Sequence, residues 1–235
     1  MSEVLSAVQS VFNYRFILQY QEQFLLGIEN TVIAAGLSLV LSLVFGFVIA
    51  LMQMSGRWPL TFAAKTYVQV IRSTPLLLQI YVIYFGLPVL LPSIAKVPEI
   101  VLGTLALTIH TAAYMSEIIR SGLQAVPRGQ NEGAIALGMT TLQRYRYVVV
   151  PQGIVNVIPA LLGQTAILIK DSSLLSLITV FDIVSAGMLL NSDLVRPNEG
   201  FLSVAVIFFV FYLMMVFFSR YVERKLAGHG WRAAR

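Results

Sequence analysis

Two stretches free of charge, Thr31 to Ala50 and Phe201 to Phe218, approach the ~20 apolar residues that carry a helix across the hydrocarbon core of a bilayer. A water-soluble globule of ordinary size gives such runs nowhere to hide, so the chain is expected to cross a membrane several times. Composition points the same way: of 235 residues, 57% are hydrophobic and 11% charged, and the mean hydropathy is +0.80. Too little polar surface remains for a soluble enzyme. The expected fold class is all-α, a polytopic membrane protein with one transmembrane domain over residues 1–235. The absence of cysteine excludes disulfides and thiolate metal sites. The first 20 residues carry Glu3 and Arg15 without an apolar core and small-residue cleavage site, so no removable signal peptide is expected.

Hydropathy and breakers divide the chain. The first span is expected over about residues 24–54, with Glu29, Asn30 and Thr31 as a polar entrance and Ser55-Gly56-Arg57 as the exit. The second covers about 60–91. Within it Lys65, Gln69 and Arg72 fall at i, i+4 and i+7, a single polar stripe that turns the first half toward protein or water. Ser73-Thr74-Pro75 reads as a helix restart, because a hydroxyl caps free N–H groups and Pro fits the first helical position. The third span, about 98–126, meets no strong breaker before Pro127 and reaches about 40 Å as one helix. A polar, basic loop follows over 127–147. Residues 148–190 are largely apolar, too long for one span, and are interrupted at Lys170-Asp171-Ser172-Ser173.

The net charge of +5 would suggest nucleic acid in a soluble chain, but in a membrane chain its distribution matters more than its total. Lys and Arg collect in cytoplasmic loops. Arg57 and Lys65 flank the first connection, Arg120, Arg128, Arg144 and Arg146 the third, and Arg220, Arg224, Lys225, Arg232 and Arg235 follow the last apolar run. Arg15, Lys96 and Arg196 fall on the other side. Placing the basic loop and the C-terminus on one side requires an even number of crossings between them, met by spans over about 148–170 and 201–219. Residues 174–190 then form a re-entrant or interfacial segment, tolerated where it lines protein or a cavity. The expectation is five spans, N-terminus outside and C-terminus cytoplasmic.

No G-x-x-x-x-G-K-[ST] loop, G-x-S-x-G elbow or intramembrane aspartate pair is present, and neither His110 nor His229 has a second ligand at metal spacing. No metal, no bound cofactor and no catalytic residue are expected of this chain. An ionisable group at the centre of a membrane helix costs ~2.5 to 3.5 kcal/mol on insertion scales, so each one calls for an explanation. His110, Tyr114 and Glu117, at i, i+4 and i+7, share one face of the third span. That face either walls a water-filled cavity or holds Glu117 in an ion pair with Arg120 or with a basic group on another helix. Lys170 and Asp171 bring both signs together, suited to a zwitterionic ligand or to an ion pair at a helix end. In the basic loop, residues 129–139 mix Ala134, Leu137 and Met139 with small residues, as in a helix that docks a partner or lies at the membrane interface.

At this loop the sequence resembles the inner-membrane permeases of ABC importers, whose signature is EAA, three residues, G, nine residues, I-x-L-P. Here it reads Glu132-Gly133-Ala134, then Gly138, then Val148-Val149-Val150-Pro151, with Gly in place of the first Ala and Val where Ile and Leu are usual. Ile71 to Gln79, Tyr114 to Gly122 and Lys170-Asp171-Ser172-Ser173-Leu174 resemble the polar amino acid uptake branch. The resemblance implies a type I permease in the cell inner membrane, among lipid and without nucleic acid. Its implied partners are an identical or homologous permease, two ATPase subunits that use ATP and Mg, and an extracytoplasmic amino acid-binding protein. It implies ATPase coupling through Glu132, Gly133, Ala134, Leu137, Gly138 and Arg144. The residues expected along the substrate path are Glu117, Lys170 and Asp171, with Tyr114, Arg72, Gln79 and Ser172. A passive channel would use the same polar stripes, and an intramembrane enzyme would have to rely on His110 and Glu117 without a nucleophile or metal.

Overall fold

The computed structural model describes residues 13–228, and among them only helices and the turns that join them occur. His229, Arg232 and Arg235, like Glu3 and most of the stretch read for a signal peptide, lie outside the described residues. Helix α1 (Tyr14–Gln19) is capped by Asn13, whose side chain accepts from the Arg15 backbone N–H. Helix α2 (Gln21–Met54) follows after one residue and runs for 34 residues. Gly56, at φ +68, turns the chain into α3 (Trp58–Arg72), where Pro59 occupies the first turn.

The polar stripe of α3 is real. Ala64 and Val68 are buried while Lys65, Gln69 and Arg72 are exposed. The helix stops at Arg72, the Ser73 N–H closing onto the Gln69 carbonyl, and α4 (Leu76–Tyr81) starts just after Pro75. A π-turn (Val82–Gly86) leads from α4 into α5 (Leu87–Leu90). Helix α6 (Glu99–Gln124) has 26 residues and is the most thoroughly buried element. The basic loop is itself helical: α7 (Arg128–Ala136), α8 (Thr141–Arg144) and a π-turn (Tyr145–Val149) run into α9 (Val150–Asp171). A tight 3₁₀ stretch (Ser172–Ile178), α10 (Ile183–Leu194) and α11 (Pro197–Gly228) complete the chain.

Three helical stretches, Gln21–Met54, Thr141–Ile178 and Pro197–Leu226, are long and apolar enough to cross a bilayer. A fourth is added if Trp58–Arg72 and Leu76–Leu90 form one broken span. The third span expected from the sequence, α6, has the length but not the apolarity. It carries Thr104, Thr108, His110, Thr111 and Ser116, and it buries all five inside the protein rather than showing them to lipid.

Contacts divide the chain into two compact units. The first comprises the described part of Met1–Ser38 with Leu76–Leu107 and Leu168–Leu213. Its core joins Tyr20 and Phe24 to Ile183, Ala186, Leu190 and Val204. Helices α10 and α11 touch backbone to backbone: a Cβ on Gly187 would lie 2.5 Å from Val204 Cγ2 and 3.0 Å from the Gly200 carbonyl. Small residues at such crossings give the dispersion contact that replaces hydrophobic burial in lipid. The chain entering α10 is fastened to α2, because Asn30 Nδ2 donates to the Phe181 carbonyl at 2.9 Å and Thr31 Oγ1 accepts from the Ile183 N–H at 3.4 Å. Asn30 and Thr31, read from the sequence as part of a polar entrance, lie inside α2 and bond to the backbone at the entry of α10.

Two buried acids hold this unit's turns. Asp182 caps α10, Oδ1 accepting from the Ser185 N–H at 2.8 Å. Glu199, in the first turn of α11, accepts from the Asn13 N–H at 3.1 Å and lies 3.9 Å from Arg196. Helix α11 thus begins at Pro197, earlier than the apolar run from Phe201, because Pro in the first turn and an acid near the N-terminus extend it.

The second unit comprises Leu39–Pro75 and Thr108–Ile167 with the described part of Met214–Arg235. Its core is Ala50, Ile119, Leu123 and Val149, packed by Phe47, Leu51 and Tyr145 among others. Glycines again set the approach. A Cβ on Gly122 would lie 2.4 Å from the Gly153 carbonyl, joining α6 to α9, and one on Gly46 would lie 2.8 Å from Met115 Cβ, joining α2 to α6. Helix α7 ends in a Schellman motif, the Gly138 N–H bonding to the Ile135 carbonyl at 2.9 Å and the Met139 N–H to the Ala134 carbonyl at 3.1 Å. Gly138 has φ +74, and within this chain nothing lies within 4 Å of a Cβ placed there. Its φ gives it a conformational role, a left-handed helix stop. Helix α8 opens with a capping box in which Thr140 and Gln143 satisfy each other's backbone N–H.

Two predictions follow from these contacts. Gly187→Leu should destabilise the protein by about 1–3 kcal/mol through overpacking, measured by thermal unfolding in detergent, whereas Gly36→Ala, with nothing within 4 Å, should be tolerated. Gly138→Ala should speed amide exchange over α7 by forcing a Cβ into the left-handed region at about 1–2 kcal/mol, and Gly133→Ala, in the open middle of the same helix, should slow it. Equal exchange in the two variants would contradict the assigned role of Gly138.

Candidate functional site

In the second unit, three helices bring their polar faces to one cavity of about 640 Å³. Helix α3 contributes Lys65, Gln69 and Arg72 from its exposed stripe, α6 contributes Glu117 and Arg120, and α2 contributes Gln53. Glu117 is the hub. Arg120, one turn further along α6, grips it with a fork: Nε donates to Oε1 at 3.1 Å and Nη2 to Oε2 at 2.9 Å. Arg72 reaches the same Oε2 from α3 at 3.5 Å. Both readings of Glu117 therefore hold at once, since it pairs with Arg120 and with a basic group on another helix while lining the cavity.

The rest of the wall orients these charges. Arg120 Nη1 donates to Gln124 Oε1 at 2.8 Å, fixing the fork from behind. Arg72 lies 5.5 Å from the centre of the Tyr114 ring, which in turn packs 5.0 Å from the His110 ring. A guanidinium over an aromatic face keeps its charge in an apolar setting at lower desolvation cost. Gln53 Nε2 donates to Ser116 Oγ at 3.4 Å, and the Tyr67 hydroxyl donates to the Ile109 carbonyl, tying α2 and α3 to α6. The cavity holds Lys65, Arg72 and Arg120 against the single carboxylate of Glu117. With 47% of its side chain exposed against 29% for Arg120 and 25% for Glu117, Arg72 is the most accessible member of this ion-paired cluster. Such a wall can receive a carboxylate on its cations and present acceptors to an ammonium.

The remaining path candidates lie in the first unit. Gln79 is half-buried on α4. Lys170 is exposed at the end of α9, its ammonium 5.8 Å from the Tyr212 ring centre. Asp171 is half-buried and, among the described residues, not within ion-pair distance of Lys170. Ser172 is buried and donates to the Ile169 carbonyl at 2.7 Å, which closes the helix end. Among the described residues no group of three or more His, Asp or Glu side chains is arranged to hold a metal.

The loop candidates separate into two sides. Ala134 turns inward and is buried, while Glu132 and Gly133 are exposed, and Leu137 is 79% exposed. Ile135, which the sequence reading did not single out, stands out beside Leu137. Its place next to the single inward Ala of a nine-residue helix was the available signal, since neighbouring positions turn about 100° apart. Arg144 faces inward and is half-buried. Gln53 was also missed, because it is a single amide at the end of a long apolar run and only α6 gives it a partner.

Over residues 16–228 the sequence matches the family described as "binding-protein-dependent transport system inner membrane component". Similar curated proteins include the octopine transport system permease protein OccM of Rhizobium meliloti, 37% identical over 84% of this chain and 83% of that protein. The arginine transport system permease protein ArtQ of Bacillus subtilis is 32% identical over 85% of this chain and 90% of its own length. Among solved structures, that of an amino acid ABC transporter with histidines superposes with a TM-score of 0.83 at 36% identity, covering 91% of this chain and 99% of the other. The inward-facing methionine transporter MetNI shares the fold alone, with a TM-score of 0.68 at 14% identity. An all-helical chain that crosses a membrane, holds a charged cavity in its helices and matches this family from residue 16 to residue 228 belongs to the binding-protein-dependent transport system inner membrane components, the permease subunits of ABC transporters.

Proposed function

We propose that this permease imports a polar amino acid or a close derivative by alternating access, driven by ATP hydrolysis in a separate subunit. Family membership brings a binding protein and an ATPase as partners. The full assembly proposed is two permease chains, identical or homologous, with two ATPases and one binding protein, in the lipid of the inner membrane. The observation that carries the reading is the Arg72–Glu117–Arg120 cluster, both signs of charge exposed to one cavity among membrane helices. A zwitterion needs both. Relatives transporting octopine and arginine, and a probable glutamine ABC transporter permease of Bacillus subtilis at 34% identity, support an amino acid cargo.

The proposed topology has five spans, with α6 as the one screened from lipid. Arg128, Arg144, Arg146, Arg220, Arg224 and Lys225 support a cytoplasmic basic loop and C-terminus. There α7 would dock the ATPase through Leu137 and Ile135, with Glu132 and Gly133 on its exposed side and Ala134 and Gly138 fixing its seat and its end. Gln79, Lys170, Asp171 and Ser172 are proposed path residues of the first unit.

The test is uptake by the reconstituted complex, with cargo chosen by screening amino acids against the binding protein. Glu117→Gln keeps the shape of the side chain and should lower uptake at least about tenfold, ~1.4 kcal/mol, while the ATPase still co-purifies. Loss of co-purification with Glu117→Gln would assign the cluster to assembly and remove it from the path.

A further inference from the structure

A second cavity in the same unit, about 830 Å³, has a different chemistry. One wall is the face of α2 formed by Phe47, Leu51 and Met54, spaced i, i+4 and i+7 on a helix long and apolar enough to cross the bilayer. The same cavity is lined by Arg144 and Arg146 from α8 and the π-turn. No acidic side chain lines it. Arg144 Nε is buried and has no hydrogen-bond partner among the described residues. Arg146 has its guanidinium 5.6 Å from the Tyr147 ring centre and no carboxylate within ion-pair distance among the described residues.

We propose that this cavity binds an anionic phospholipid, its phosphate at Arg144 and Arg146 and the upper part of an acyl chain along Phe47 and Leu51. The lining matches an amphiphile in kind: an apolar wall on a helix fit to cross the bilayer, and two cations with no carboxylate among the lining residues. Basic pockets between membrane helices on the positively charged side select anionic headgroups. A polar amino acid fits poorly, because this wall offers an ammonium no carboxylate and its apolar side would strip water from the solute without replacing it. Of the loop's outward apolar residues Ile135, Leu137 and Leu142, the first two, on α7 and at its C-cap, lie outside this wall and only Leu142 reaches it, which makes the ATPase the less favoured occupant. The site sets a reason for the inward turn of Arg144: with lipid bound, the segment between α7 and α9 is clamped to α2 at the membrane surface.

The experiment is native mass spectrometry of the assembled transporter after exchange into equimolar dioleoyl phosphatidylglycerol and dioleoyl phosphatidylcholine. Phosphatidylglycerol should be retained over phosphatidylcholine. Replacing both arginines, Arg144→Gln with Arg146→Gln, should weaken that retention about thirtyfold, roughly fivefold for each charge. Leu51→Trp, which fills the cavity and leaves the charges, should also displace the lipid, and millimolar inorganic phosphate should not. Equal retention of the two lipids, unchanged retention in the charge or filling variant, or displacement by inorganic phosphate would overturn the proposal. So would shielding of Leu142→Cys from a water-soluble maleimide in the delipidated complex, because the ATPase would then cover the cavity. Shielding only when phosphatidylglycerol is present would support it.

Discussion

The second unit is organised around one carboxylate. Glu117 sits on α6, and an uncompensated charge at membrane depth costs several kcal/mol. Arg120 answers it from the same helix and Arg72 from α3, so neutralising the acid also ties α3 to α6. Removing Glu117 would leave two half-buried arginines side by side without their shared carboxylate, which makes the three a structural unit as well as a binding surface. Burial explains why α6 tolerates its other polar residues: Thr104, Thr108, His110, Thr111 and Ser116 all face protein.

Close packing follows a matching economy in both units. Gly46, Gly122 and Gly153 in the second unit and Gly187 and Gly200 in the first remove side chains where backbones must touch. In lipid, apolar side chains gain little from leaving one oily environment for another, so helix association relies on such dispersion contacts and on buried hydrogen bonds. Asn30, Thr31, Asp182 and Glu199 supply the bonds, each directed at backbone that no helix satisfies.

Much of this was legible in the sequence wherever a signal lies within one element. The stripe Lys65, Gln69 and Arg72, the break at Ser73 to Pro75, the 98–126 helix and the helix at the centre of the basic loop all follow from periodicity and breakers. What was not legible required a tertiary partner. Nothing near Glu117 in the chain announces Arg72, and nothing near Asn30 announces the Phe181 carbonyl. Small size alone does not tell a glycine at φ +74, such as Gly138, from one at a helix crossing, such as Gly122. Hydropathy marks the apolar run from Phe201 but not the start of α11, because Pro197 to Glu199 is polar yet begins the helix.

The account requires charge in the helices to serve coupled transport and not an open pore. The direct measurement is accumulation of labelled amino acid in proteoliposomes carrying the permease with its ATPase and binding protein. Uptake against a gradient that depends on ATP and on the binding protein is the predicted result. Flux that runs only downhill, at the same rate with and without ATP, would contradict it and identify a channel.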